Sequence, residues 1–253
     1  VYKRQENIRS ALRDLSEAGF NVVFPVAWNK GRTQYPSALM KKTFGAEIDE
    51  RYRGRDPLQE MIEEAHALDI AVIPWFEYGF VGSYDGKGKD PLKKKPKWAG
   101  TDVKGKKLVK NGFRWMNALD PDVQAFVSGL VLEVVEKYDV DGVQGDDRLP
   151  AMPSEGGYDK VTRRAYEKET GKKAPNDGKD AEWLAWRAAR LTDFLRDLRE
   201  RVHAIEPGLP ISSSPTPPGW GLREYLQDSG AWLKQGLVDM IHQKAYRRDV
   251  ASY

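Results

Sequence analysis

Apolar positions alternate along this chain between two periods. Ile8, Ala11, Leu12, Leu15 and Ala18 recur at spacings of three and four with Gly19 behind them, which predicts an amphipathic helix with a glycine stop. Residues 21–26 then form a near-continuous apolar run, the pattern of a strand covered on both faces. The pairing repeats. Asp56-Pro57 has the form of an N-cap followed by proline at the first helical position, with Gln59 completing a capping box. Leu58, Met61, Ile62, Ala65 and Leu68 give that helix its buried face, and residues 70–75 form the next strand. Asp120-Pro121 opens a third helix carrying Val123, Phe126, Val127, Leu130, Val131 and Val134, and Val140 and Val143 mark the strand behind it. A short helix ending near Gly171, a long helix over 180–205, a strand at 210–215, one helix over 222–235 stopped by Gly236 and a strand at 238–243 complete the series. Residues 27–55 and 149–158 read as loops.

Five strands joined by helices of this length require a parallel sheet with right-handed crossovers. An open doubly wound sheet and a (β/α)8 barrel both satisfy that. No G-x-G-x-x-G or Walker-type lysine loop follows a strand, as a nucleotide-binding open sheet would want. Polar and aromatic residues instead follow every strand, so an α/β fold of the TIM-type (β/α)8 barrel is expected, as a single domain over 1–253.

Composition narrows the function. A net charge of +3 on a chain that is 31% charged gives no global pull toward nucleic acid. The absence of cysteine excludes disulfides and thiolate metal sites. No apolar run approaches the roughly 20 residues of a membrane span. The lysine-rich stretch 90–110, with Lys93-Lys94-Lys95 and Lys106-Lys107, reads as a solvated excursion, and Trp98 alone does not make a nucleic-acid groove. His66 and His203 fall on helices and His242 within a strand, with no His-x-His or His-Glu-x-x-His spacing, so no metal site and no cofactor are expected.

The chemistry centres on Asp139-Val140-Asp141-Gly142-Val143-Gln144-Gly145-Asp146-Asp147-Arg148, a buried strand whose C-terminal end delivers two adjacent carboxylates. That end is where active sites form in parallel α/β folds; the plainer alternative is a helix cap or a turn. Glu77 stands just past the 70–75 strand among Trp75, Phe76, Tyr78 and Phe80. Aromatic rings beside carboxylates suit a sugar, whose C–H faces stack while its hydroxyls donate, although Phe76 and Phe80 also fit a core. Arg187, next to Trp186, is placed to orient a carboxylate or to lie on the surface.

Several segments carry a family resemblance. Gly19-Phe20-Asn21-Val22-Val23, Tyr35-Pro36-Ser37, Asp56-Pro57-Leu58 with Ala65-His66, residues 74–80, 138–147, Trp186-Arg187 and 243–247 resemble, in order, the glycosyl-hydrolase-like family ten, typified by bacterial cell-wall glycosidases acting on denuded glycan strands. The resemblance implies a (β/α)8 barrel, an extracytoplasmic bacterial protein, and hydrolysis of a β-linked, N-acetylated polysaccharide. Aligned this way, the family's first strand precedes Val1 and its last two follow Tyr253, so a fragment with about strands two to six of eight is expected; the opening at Val1 and the trailing 250–253 agree. Arg148 stands where histidine is expected, Gly145 replaces a bulkier residue, and Ala118 follows Asn117 where proline is usual.

Glycoside hydrolysis needs one protonated carboxyl and one ionised partner. Adjacent strand residues alternate in direction, so Asp146 and Asp147 do not face one point. Asp147 is expected as the acid, with Glu77 or Asp146 as partner and the remaining aspartate orienting Arg187 or a backbone amide. Trp28, Tyr35, Trp75, Asn117, Gln144, Gln243 and Tyr246 are the expected sugar contacts. A non-catalytic glycan-binding barrel and a metal-dependent hydrolase are the rivals. The oligomeric state is left open.

Overall fold

The computed structural model describes residues 4–246 and 249–250; Arg247 and residues 251–253, part of stretches singled out above, lie outside them. Its centre is a set of short parallel strands. Val22–Val23 pairs with Ala71–Val72, Trp75–Phe76 with Val143–Gly145, Val143–Gly145 with Ile211–Ser213, and Ile211–Ser213 with Met240–Ile241. A parallel bridge from Val26 to Trp75 joins the first pair to the rest. Pro74 has no N–H to give, yet its carbonyl accepts from Gln144 N at 2.9 Å, so the second strand is interrupted without losing the ladder.

Strand order in space follows strand order in sequence, with none of the reversal that defines a doubly wound sheet. The sheet also curls. Phe24, beyond the first strand, meets His242, beyond the last, edge-to-face at 5.2 Å. Both features fit the barrel class.

The crossover helices start where the sequence marks them. Asp56 accepts from Gln59 N at 3.2 Å ahead of Pro57–His66, Asp120 from Asp122 N at 2.8 Å ahead of Pro121–Lys137, and Asp180 from Trp183 N at 3.0 Å ahead of Ala181–Ile205. Only half of the capping box at Asp56 forms, because the Gln59 amide reaches forward to Glu63 at 3.0 Å. The single helix expected over 222–235 is two, Pro218–Tyr225 and Ser229–Lys234, parted at Leu226 with φ 58°. Buried Gln227 is the reason: it binds Thr216 Oγ1 at 2.8 Å and the Pro150 carbonyl at 3.3 Å, and Asp228 then caps the second helix.

The stretch 27–55, read as a loop, is structured, and so is part of the lysine-rich excursion 90–110. Within 27–55, Trp28–Asn29 and Arg32–Thr33 form a hairpin turned by Lys30 and Gly31, both at positive φ, and Ser37 caps the helix Ala38–Phe44. The lysine-rich excursion is partly a ribbon of Val81–Tyr84, Phe113–Trp115 and Val109–Lys110. Among the described residues no helix is long and apolar enough to cross a membrane.

Three of the expected sugar contacts are held in the packing instead, and so is Arg187, which was expected to orient a carboxylate or lie on the surface. Trp28 has no exposed surface, packs on Phe126 and donates its indole N–H to the Gly79 carbonyl at 3.2 Å. Tyr35, equally buried, donates to the Leu130 carbonyl at 2.9 Å. Asn117 ties the loop before Pro121–Lys137 to Asp159 at 2.8 Å. Among the described residues Arg187 reaches no carboxylate. Wholly buried, it donates to the carbonyls of Ser154 (2.7 Å), Gly156 (2.6 Å), Gly178 (2.5 Å) and Trp183 (3.2 Å), and its guanidinium lies 4.4 Å from the Trp183 ring centroid. Burial lowers its pKa to about 10, which still leaves it charged at neutrality. Arg187→Ala is expected to cost about 3 kcal/mol by stranding buried carbonyls, with Arg187→Lys recovering only part. Denaturant unfolding checks this; an Arg187→Ala protein as stable as the parent contradicts it.

Candidate functional site

The parallel central strands all end on the same side, and the charged groups gather there. Val143–Gly145 runs into Asp146, Asp147 and Arg148. Gly145 lets the chain double back, since a Cβ on it would sit 2.5 Å from the Leu149 carbonyl oxygen. The Asp146 side chain has no exposure. Its Oδ2 accepts from Arg148 Nη1 at 2.6 Å, and its Oδ1 is ion-paired with Lys244, which comes from beyond Met240–Ile241. Asp147 is 25% exposed and turns toward the same two cations, 3.4 Å from Arg148 Nη1 and 3.5 Å from Lys244 Nζ.

The cations are themselves held. Arg148 Nη1 also donates to the Glu77 carbonyl at 2.8 Å, and its guanidinium lies 4.7 Å from the Phe113 ring centroid. Lys244 Nζ stands 5.3 Å from the Trp75 ring centroid, and its backbone N–H donates to the Pro215 carbonyl at 2.9 Å. Glu77, past Trp75–Phe76, receives a hydrogen bond on its carboxylate from Asn29 Nδ2. Gly79 makes room for this turn: at φ 44°, a Cβ there would lie 2.1 Å from the Arg148 carbonyl oxygen.

Burial, and then the Asp147 charge, push the Asp146 carboxyl up to about 7 against the pull of Arg148 and Lys244. Glu77 is also raised, chiefly by burial, with Arg148, Lys244 and Lys30 opposing. Of the charged cluster, Asp147 and Lys244 line the two adjoining cavities found here, which share Lys244 and Tyr246. One, of about 490 Å³, is lined by Trp75, Gln144, His242 and Gln243; the other, of about 350 Å³, by Asp147, Thr216, Pro217 and Trp220. Tyr246 is 82% exposed and Trp220 50%. Gln144 is mostly buried, its amide oxygen taking Ser212 Oγ at 2.9 Å and His242 Nδ1 at 3.0 Å.

The strand ends thus bring together Asp146, Asp147, Glu77, Trp75, Gln144, Gln243 and Tyr246, and leave Trp28, Tyr35, Asn117 and Arg187 in the packing. Sequence reasoning passed over Asn29, Trp220 and Lys244 and noted Arg148 only as a departure. Applying the strand-end rule to cations as well as carboxylates would have found Lys244, three residues past Ile241. A larger cavity of about 530 Å³ lies among the helices Pro121–Lys137, Lys160–Thr170 and Ala181–Ile205. Its acids Glu169, Asp193 and Asp197 are paired with Arg190 and Arg201, and none of its lining comes from the strand ends, so size alone does not make it the site.

The profile described as Glycosyl hydrolase-like 10 matches residues 1–253. Among curated proteins, the chain is similar to "Glycosyl hydrolase DigH" of Escherichia coli (strain K12), 28% identical over 270 residues, covering 96% of this chain and 58% of that protein. It therefore spans little more than half of that relative's length. Two solved glycoside hydrolases of the barrel type share the architecture. The PgaB (BpsB) glycoside hydrolase domain from Bordetella bronchiseptica matches with a TM-score of 0.63 at 13% identity, over 94% of this chain and 68% of that one. Alpha-L-fucosidase isoenzyme 2 from Paenibacillus thiaminolyticus matches with a TM-score of 0.60 at 22% identity, over 83% and 29%. At these identities the likeness concerns the fold alone. The whole-length profile match decides the family: the chain belongs to the Glycosyl hydrolase-like 10 family.

Proposed function

We propose that this protein is a glycoside hydrolase acting outside the bacterial cytoplasm on a β-linked, N-acetylated polysaccharide such as denuded peptidoglycan glycan strands. The observation that carries this is a contrast among three carboxyls in one charge cluster at the strand ends. Asp146 is wholly buried, Glu77 is part-buried beside Asn29, and Asp147 faces a cavity that also holds Trp220 and Tyr246. The glycan and its cellular place rest on the family resemblance.

Cleaving a glycosidic bond takes a carboxylic acid that protonates the leaving oxygen and a carboxylate that serves the oxocarbenium-like centre. Asp146 has no surface to offer a sugar, so its part is to hold Arg148 and Lys244 in place. Glu77, raised by burial, is suited to keep its proton and give it to the leaving oxygen. Asp147, held between two cations, serves as the negative partner. That exchanges the roles expected from the strand pattern, which assigned the acid to Asp147. Trp75, Trp220 and Tyr246 supply apolar faces for the sugar rings.

Glu77→Gln and Asp147→Asn in the full-length protein should each lower kcat by about 10²–10⁴-fold. Aryl glycosides, whose leaving group needs no proton, should restore much of the rate to Glu77→Gln and little to Asp147→Asn. The opposite pattern returns the acid role to Asp147, and full activity in both variants removes the site. A second expectation follows from pH. Asp146 holds its proton to about 7 when folded and to about 3.8 otherwise, so this group's contribution to stability is best below pH 4 and declines as pH rises toward 7. Unfolding of parent and Asp146→Asn at pH 4.5 and 7.5 tests this: the substitution should flatten the decline, and an unchanged slope argues against it.

A further inference from the structure

Charge is unevenly spread along this chain. Residues 85–107 contain nine lysines and three aspartates, a local +6 in a protein whose net charge is +3, so everything else sums to −3. All nine lysines are exposed. Two of the aspartates are committed within the segment's own neighbourhood: buried Asp90 to Arg114 at 2.5 Å and Leu92 N at 3.0 Å, Asp102 to the backbone of Lys104 and Lys106. Lys89 pairs with Glu50 at 3.3 Å, Lys94 donates to the Phe44 carbonyl at 2.6 Å, and Lys95 sits over Trp98. Lys87, Lys93, Lys97, Lys104, Lys106 and Lys107 have no carboxylate within ion-pair distance among the described residues. An ordinary solvated face of this protein looks different. On the helix Ala181–Ile205, Arg190, Arg196, Arg199 and Arg201 are each paired with an aspartate or glutamate.

The segment is also built onto the catalytic mouth. It follows Trp75–Phe76, so it rises from the strand end that carries Glu77. Lys89 N donates to the Lys30 carbonyl at 3.0 Å, and Gly31 is pressed so close that a Cβ there would lie 1.6 Å from the Lys89 carbonyl oxygen. That hairpin carries Asn29, which binds Glu77. On the other flank, Phe113 of the ribbon supports Arg148.

We infer that the lysine segment 85–107 is a docking surface for an acidic polysaccharide, a polymer with repeated carboxylates that enters the adjoining cleft. This rests on the glycosidase reading for what happens in the cleft, but not for binding. Lysines are mobile point charges, suited to a regularly charged polymer whose conformation varies. Trp98, the aromatic residue of the segment, is buried and offers no platform for stacked bases. An anionic bilayer is the main rival, because Val103 and Val109 are exposed here, but it does not account for the junction with Asn29 and Arg148.

The test uses the full-length protein and a variant in which Lys87, Lys104, Lys106 and Lys107 are each changed to Glu. Binding of polygalacturonate, neutral dextran and phosphatidylglycerol vesicles is measured at about 20 and 200 mM salt. The parent should bind the polyuronate with an affinity that falls about tenfold or more across that range and should ignore dextran. The variant should lose at least tenfold at low salt, with its unfolding midpoint and its cleavage of short neutral oligosaccharides unchanged. Equal binding by parent and variant, equal binding of dextran, or tighter binding of the vesicles overturns the inference. Binding through these lysines by a protein that cleaves no glycan supports the docking surface and counts against the glycosidase reading alone.

Discussion

A carboxylate without solvent must be matched or neutralised, and Asp146 is such a group. It sits where the central strand ends, and two cations converge on it from different parts of the chain: Arg148 from the same turn and Lys244 from the far side of the sheet. Each cation is then used again. Arg148 ties down the Glu77 backbone and Lys244 lies against Trp75, while both face Asp147. Replacing Asp146 by an apolar residue would leave two cations with only a partly exposed aspartate between them, and such stranded buried charge costs several kcal/mol. The position of Asp147 and the protonation of Glu77 depend on this arrangement.

Glycine does the matching work in the backbone. Gly79 allows the turns carrying Asp146 and Glu77 to pass within contact of one another, Gly145 lets the first of these turns double back on Leu149, and Gly31 lets a hairpin clasp the lysine segment. Two of the three residues that the sequence reading set apart, Arg148 and Gly145, are intelligible on this basis. Arg148 supplies a permanent charge with several donors, which serves a carboxylate and a carbonyl together. Gly145 is imposed by the nearness of the Leu149 carbonyl.

Much of the fold was legible because the periodicities are strong and the Asp-Pro helix starts are local signals. The strand ends carrying Asp146, Asp147 and Glu77 could be placed from the apolar runs before them. Trp28, Tyr35 and Arg187 could not, because an aromatic past a strand or an arginine on a helix looks the same in sequence whether it faces a cleft or the core. Only the partners distinguish them: the Gly79, Leu130 and Ser154 carbonyls lie 51, 95 and 33 residues away, respectively. The split at Leu226 escaped for the same reason, since Gln227 is held by Thr216 and Pro150 from other loops.

The most direct test of this account is a crystal structure of the Asp147→Asn protein with a β-linked N-acetylglucosamine oligomer. The account predicts a sugar ring against Trp75 or Trp220, with the glycosidic oxygen in hydrogen-bond reach of Glu77 and the anomeric carbon beside residue 147. An oligomer bound in the groove between the helices Pro121–Lys137 and Ala181–Ile205, or one whose scissile bond touches neither residue, would contradict it.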